Sequence, residues 1–226
     1  MEITVEAKRL PAVIVGTGPS LNFREVYELR EAGHVLFAVN NAYTIEPDWH
    51  VTVNPEWWDW YHPRHLAVRK LASEGRAWHS DPETARRYGL KDFQWKDDHE
   101  HIRANGLSKD RALVHLGHSS GFTALNIAYL MGFNPIVLIG HDMRYPKNYD
   151  AQKREPGGAR HYFGEYPQPL QHWPRVRVGK DGELWGLIEC YEAIPKVNRD
   201  VEIINLSPNS ALHHFPRMTT EEYLNA

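Results

Sequence analysis

The apolar residues of this chain come in short runs, and that rhythm constrains the fold more than any other feature. Ala12–Val15, Val35–Val39, 50–53, Ile136–Ile139 and 201–205 are strand-like, rich in β-branched side chains and closed by turn residues. Helical pattern fills the intervals. The stretch 23–32 follows Ser20 and Asn22, both able to cap it, while 121–131 carries Ala124, Leu125 and Ala128 on one face and stops at Gly132. Strands alternating with helices predict a mostly parallel sheet wound in right-handed βαβ units, with helices on both faces. At 226 residues the chain suits a single α/β domain of Rossmann-like type and is short for two.

Composition excludes several classes of function. Apolar residues at 42% and charged residues at 24% describe an ordinary soluble globular protein. With 26 basic against 29 acidic side chains the net charge is −3, and no Lys/Arg grouping is long enough to make a nucleic-acid patch. Cys190 is the single cysteine, so an internal disulfide and a Cys-rich metal site are excluded, and a reducing cytoplasm is the expected location. The first apolar run is too short for a signal-peptide core or a membrane span, so neither export by that route nor a bilayer anchor is expected. Eight Trp, 11 Tyr and 14 His suggest wide, partly polar clefts. From about 145 to 182, Pro156, Gly157, Gly158, Pro167, Pro169 and Pro174 interrupt any period, which predicts an irregular, lid-like segment.

The first strand-like run breaks into Gly16, Thr17, Gly18, Pro19 and Ser20 ahead of a helix. A strand, a glycine turn and a helix N-terminus can bind an anion, because free N–H groups and the helix dipole face it, and glycines tolerate positive φ and close backbone approach. Neither the Walker pattern nor the third glycine of the dinucleotide fingerprint is present, so a plain strand-to-helix connection is the competing reading. Ser119, Ser120 and Gly121 open the second helix and offer either N-capping or a second anion or ribose contact. Asn40 and Asn41 end one strand-like run and Asn54 follows the next, where open α/β sheets place ligand groups.

Four segments occur in the order of the motifs of family 42 sialyltransferases: "VIVGTGPSLN" at 13–22, "FAVNNAY" at 37–43, "GHSSGFTALNIAYLMGFNPIVLIGHDM" at 117–143 and "INLSPNSALHHFP" at 204–216. The same skeleton resembles MptE-like pterin pyrophosphokinases and related small phage and prophage proteins. The resemblance implies nucleotide contacts at residues 16–20, at Asn40 and Asn41, at 119–121, at Asp142, and at Ser207, Pro208, Asn209 and Ser210. It also implies two tyrosines after Asp142 that assist the departing phosphate, for which Tyr145 and Tyr149 are the counterparts. The first is displaced by one position, and Arg144, standing in its place, can itself neutralise a phosphate. The family's general base is a histidine beyond those tyrosines, so His161 and His172 are the candidates. His161 is preferred because Arg160 beside it can also serve an anionic group. A histidine fits because its ordinary pKa near ~6.5 lets it accept a hydroxyl proton at neutral pH.

The first function expected is therefore a metal-independent sugar transfer from a nucleotide-sugar donor, CMP-linked by resemblance, to a hydroxyl on a glycan or modified base. The second is a magnesium-dependent pyrophosphoryl transfer from ATP, for which only Asp142 and Asp150 offer carboxylates near the site. The third is a nucleotide-binding phage accessory protein without catalysis. No metal site is expected: the cluster "DDHEH" at 97–101 reads as a solvated loop, and adjacent His213 and His214 would point apart. No cofactor is expected beyond the donor, and a homo-oligomer stays open.

Overall fold

A computed structural model describes residues 10–145, 160–170 and 177–226. In chain order it contains β1 (Ala12–Val15), α1 (Phe23–Glu31), β2 (Val35–Val39), β3 (Trp49–Val51), α2 (Pro55–Tyr61), α3 (Leu66–Ser73), β4 (Ala77–His79), α4 (Pro82–Tyr88) and β5 (Lys91–Asp92). There follow β6 (Gln94–Lys96), α5 (His99–Asn105), β7 (Leu113–His115), α6 (Ser120–Leu130), β8 (Ile136–Ile139), α7 (Trp185–Tyr191), α8 (Ile194–Val197), β9 (Ile203–Asn205) and α9 (Thr220–Leu224). Seven strands form one parallel sheet in the order β5-β4-β3-β2-β1-β8-β9, and β6 and β7 make a separate parallel pair.

The sheet is the expected Rossmann-like one, and its register explains its two-sided core. Pairing of Ala12 with both Val35 and Ile136 sets Ile14 level with Phe37 and Leu138, all fully buried on one face. Val13, Leu36 and Val137 face the other way, into a second core with Val26 and Leu29 of α1. Burial of each such side chain is worth roughly 1.5–3 kcal/mol, which is why the strands read as continuous apolar runs rather than as alternation. Order reverses at β1, whose neighbours are β2 and β8. Such a switch point opens a crevice at the carboxyl ends of the strands.

Several expectations change in detail. The third strand stops at Val51, because the Val53 N–H turns to Ser120 Oγ at 3.1 Å instead of to a strand. The last begins at Ile203, since the Glu202 N–H goes to Asn134 Oδ1 at 2.9 Å. Helix α6 is buried at every position but Tyr129, because it packs against β1, β2, β3 and β8 while β7 also contacts it, so no single apolar stripe is needed. The "DDHEH" cluster is not a loop. Asp98 accepts from the His101 N–H at 3.0 Å and caps α5, so charged residues there start a helix. A Thr219–Glu222 capping box starts α9. No helix among the described residues is long and apolar enough to cross a membrane.

Candidate functional site

At the end of β1 the chain stays locked to β8. The N–H groups of Gly16 and Gly18 donate to Ile139 O and Gly140 O, each at 2.8 Å, and the Ser20 N–H points at Asp142 Oδ2 at 3.3 Å. Neither glycine has positive φ. A Cβ on Gly18 would overlap Asp142 Oδ2 and stand 2.7 Å from Gly140 O, and one on Gly16 would overlap Gly140 O. Close approach is thus the reason for these glycines, as expected, but the backbone approached is the protein's own. The donors that an anion would need at this turn are largely engaged.

The end of β8 is held from behind. Ser207 Oγ accepts from the His141 N–H at 2.9 Å, Ser210 Oγ donates to His141 O at 2.6 Å, and the Ala211 N–H donates to Asp142 O at 2.9 Å. Ser207 and Ser210 are fully buried. The late Ser-Pro-Asn-Ser motif, expected in the pocket, is a bracket behind its wall. On the cleft side, Asp142 accepts the Ser20 Oγ–H at 2.9 Å. Burial raises its pKa, and the Ser20 hydrogen bonds partly oppose that rise. The His141 Nδ1–H donates to Ile139 O at 3.1 Å, and burial holds the ring at about 4. Arg144 and Tyr145 continue the wall, and Arg144 Nε is buried with no hydrogen-bond partner among the described residues.

Beyond β2, Asn40 sits at φ +49°, and its carbonyl accepts from His50 Nε2–H at 2.9 Å. It lines the cleft, whereas Asn41 is buried and satisfies its surroundings: Trp57 Nε1 donates to its Oδ1 at 2.7 Å, and its Nδ2 donates to the Tyr61 hydroxyl at 2.8 Å. Asn54, after β3, lines the cleft with Trp57 of α2. Ser119 caps α6 by accepting from the Phe122 N–H at 3.1 Å, so capping and cleft position coincide. The first-turn N–H groups of Ser120 and Gly121 have no intrahelical acceptor and lie on the cleft wall.

The described parts of the 145–182 segment dock over this face. The Tyr162 N–H donates to Thr17 O at 3.1 Å and its hydroxyl to Asn41 O at 2.6 Å. His161 Nδ1 is 3.2 Å from Thr17 Oγ1, the ring stacks on Phe163 at 4.9 Å, and burial holds its pKa at about 4, with Glu165 and Arg160 pulling in opposite directions. Arg160 pairs with Glu165. Farther on, the Tyr145 N–H donates to Gly182 O and the Leu184 N–H to Met143 O, both at 2.9 Å. Tyr149, Asp150 and His172 lie outside the described residues.

These pieces enclose a cleft of about 380 Å³. Gly16, Thr17, Gly18, Pro19, Asn40, Asn54, Ser119, Ser120, Gly121, Asp142, Arg144, Tyr145, Arg160 and His161 border it, as expected of a shared site. Ser20, Asn41, Ser207 and Ser210 support it without bordering it, while Pro208 and Asn209 are exposed and do not line it. Glu56, His118, His141 and Tyr166 also border it and were not expected there; Trp57 borders it too, from the aromatic run 54–65 that the sequence offers either for stacking a sugar or base or for anchoring a helix to the core. His118 and His141 lie within the segment 117–143 that carries the family resemblance, so membership of that segment was the signal that could have found them. Among the described residues no group of three His, Cys, Asp or Glu side chains could hold a metal ion.

Residues 2–148 match the family described as 6-hydroxymethylpterin diphosphokinase MptE-like. No curated protein matches the chain. Among solved structures, it shares its fold with the MAf glycosyltransferase from Magnetospirillum magneticum AMB-1, at a TM-score of 0.56 and 14% identity over 94% of this chain and 34% of that one. The chain thus spans about a third of the length of the MAf protein. The sialyltransferase CstII from Campylobacter jejuni, in complex with the substrate analogue CMP-3FNeuAc, aligns at a TM-score of 0.46 and 14% identity over 92% of this chain and 85% of that one.

Proposed function

We propose that this chain, which belongs to the 6-hydroxymethylpterin diphosphokinase MptE-like family, is an enzyme that binds a nucleotide donor in the cleft and transfers part of it to a hydroxyl acceptor. The observation that carries this reading is convergence: the carboxyl ends of β1, β2, β3, β7 and β8 meet around one cleft that also holds Arg144 and the start of α6. The α6 N-terminus and Arg144 receive the donor phosphate, since the free first-turn donors and the guanidinium lie there. Thr17, Pro19 and Asn40 form the wall against which the nucleoside rests. Trp57 supplies an aromatic edge for a base or sugar. His161, expected from the sequence to take the acceptor proton, sits against Thr17 and belongs to the donor side.

Sugar transfer from a CMP-linked donor is the first form of this reading, with the nucleotide phosphate leaving toward Arg144 and α6. Diphosphoryl transfer from ATP is the second, favoured by the family's description, and it would require magnesium on the phosphates with Asp142 and Glu56 as nearby carboxylates. Thermal-shift titration with CMP, CDP, UDP, GDP and ATP, each with and without magnesium, separates them, because ligand binding to the folded state raises the melting temperature. A magnesium-independent CMP shift supports sugar transfer. A shift only with ATP and magnesium supports the second form, and no shift with any nucleotide refutes both.

A further inference from the structure

The carboxyl ends of the paired strands β6 and β7 bring together two loops that no motif connects. Asp97, just past β6, turns both carboxylate oxygens to one residue: Oδ1 accepts from the His118 N–H at 3.1 Å, and Oδ2 lies 3.0 Å from His118 Nδ1. A carboxylate only accepts, so in the neutral ring Nδ1 carries the proton and Nε2 keeps its lone pair. His118 borders the cleft directly before Ser119 and Ser120, and its side chain is 38% exposed, open to water and to a substrate hydroxyl. The His99 ring meets it edge-on at 4.7 Å and is itself fixed by an Nε2–H bond to Gly186 O at 3.0 Å, which limits the swing of His118.

The backbone is bent to make this arrangement. Gly117 at φ +56° and His118 at φ +54° are successive left-handed residues, a conformation that a residue with a Cβ adopts at a cost and that tends to persist where a side chain must be aimed. The other cleft histidines are tied differently. His141 is buried and gives its Nδ1–H to a backbone carbonyl, and His161 Nδ1 meets the Thr17 hydroxyl, so neither ring hydrogen-bonds a carboxylate that could balance an imidazolium. Among these three, only His118 combines an oriented lone pair, a counter-charge and access.

We propose that His118 is the general base of the transfer reaction and that Asp97 is its positioning residue. This assignment rests on the sugar-transfer reading above. The acceptor oxygen forms a bond to the anomeric carbon of the donor sugar. The bond from that carbon to the phosphate oxygen breaks, and its electron pair leaves on the nucleotide phosphate. The acceptor proton passes to His118 Nε2, and the Asp97 carboxylate lies against the imidazolium so formed.

Two measurements on the full chain test this. Imidazole ¹⁵N NMR should show the His118 ring as the Nδ1–H tautomer, and Asp97→Ala should release it toward the Nε2–H form that free imidazole side chains prefer. Release of CMP from CMP-N-acetylneuraminic acid, with and without lactose as acceptor, should fall on the order of 100-fold or more in His118→Gln while the CMP melting shift is kept. An Nε2–H ring in the unmodified protein, or turnover within threefold in a His118→Gln variant that still binds CMP, overturns the assignment. Absence of any CMP shift in the unmodified protein instead marks failure of the donor reading, and the tautomer measurement then still decides whether Asp97 orients His118.

Discussion

Acidification should unfold this protein through buried imidazoles, and His50 allows the effect to be isolated. Its ring is fully buried, lies 4.9 Å from Trp57 and 5.3 Å from Trp58 between centroids, and donates from Nε2 to Asn40 O. Burial lowers its pKa from 6.5 to about 4. The unfolded chain therefore binds a proton that the folded chain refuses, so the stabilising contribution is complete above about pH 6.5, declines as pH falls toward about 4, and is then exhausted. At pH 5 the unfolded ring is favoured by a protonation factor of about thirty, worth about 2 kcal/mol. His141, also held at about 4 by burial, adds a similar amount. Against a typical total of roughly 5–15 kcal/mol, that loss is large.

The perturbation is His50→Gln, which can still donate to Asn40 O but does not titrate. Urea unfolding at pH 7.5 and at pH 5 gives the stability difference within each protein, so the packing cost of the substitution cancels. The unmodified protein should lose about 2 kcal/mol more than the variant on moving to pH 5. Parallel losses in the two proteins would refute the claim that His50 is buried neutral. Asp142 cannot produce the same signature: burial raises its pKa, so its own contribution runs the other way and favours the fold as pH falls.

Gly18→Ala should lower the melting temperature and cost about 1–3 kcal/mol, because its Cβ would overlap Asp142 Oδ2, and adding Asp142→Ala should recover part of that loss; a Gly18→Ala protein that melts like the unmodified one contradicts the close approach. Asn41→Ala should cost about 2–3 kcal/mol in urea unfolding, since it leaves buried Trp57 Nε1 and the Tyr61 hydroxyl without their partner. Ser210→Ala should lower stability by about 1–2 kcal/mol while changing nucleotide affinity less than threefold, as befits a bracket behind the cleft; a tenfold loss of affinity at unchanged stability would restore the motif to direct ligand contact.

Much of the architecture was determined locally and could be read in the sequence. Ala12–Val15, Val35–Val39 and Ile136–Ile139 are uninterrupted apolar runs because both faces of a parallel strand are covered, and Asn22, Ser119 and Thr219 cap helices within three residues of themselves. The short strands β4 to β7, three residues or fewer each, carry no such pattern and arise from pairing with neighbours. The meeting of residues 16–19, 119–121 and 142–145 at one cleft was also legible, because a parallel sheet sends the ends of its strands to one edge. What each residue does at that edge was not. Whether the N–H of Gly18 faces a ligand or Gly140 O depends on a residue more than a hundred positions away, as does the Ser20 hold on Asp142. Asn41, Ser207 and Ser210 have side chains suited to a ligand, yet Trp57, Tyr61 and the His141 backbone occupy them first. Asp97 and His118, twenty-one positions apart, become a pair only when β6 and β7 align. A polar group bonds to whatever the packed chain brings within reach, and only the tertiary structure specifies that neighbour.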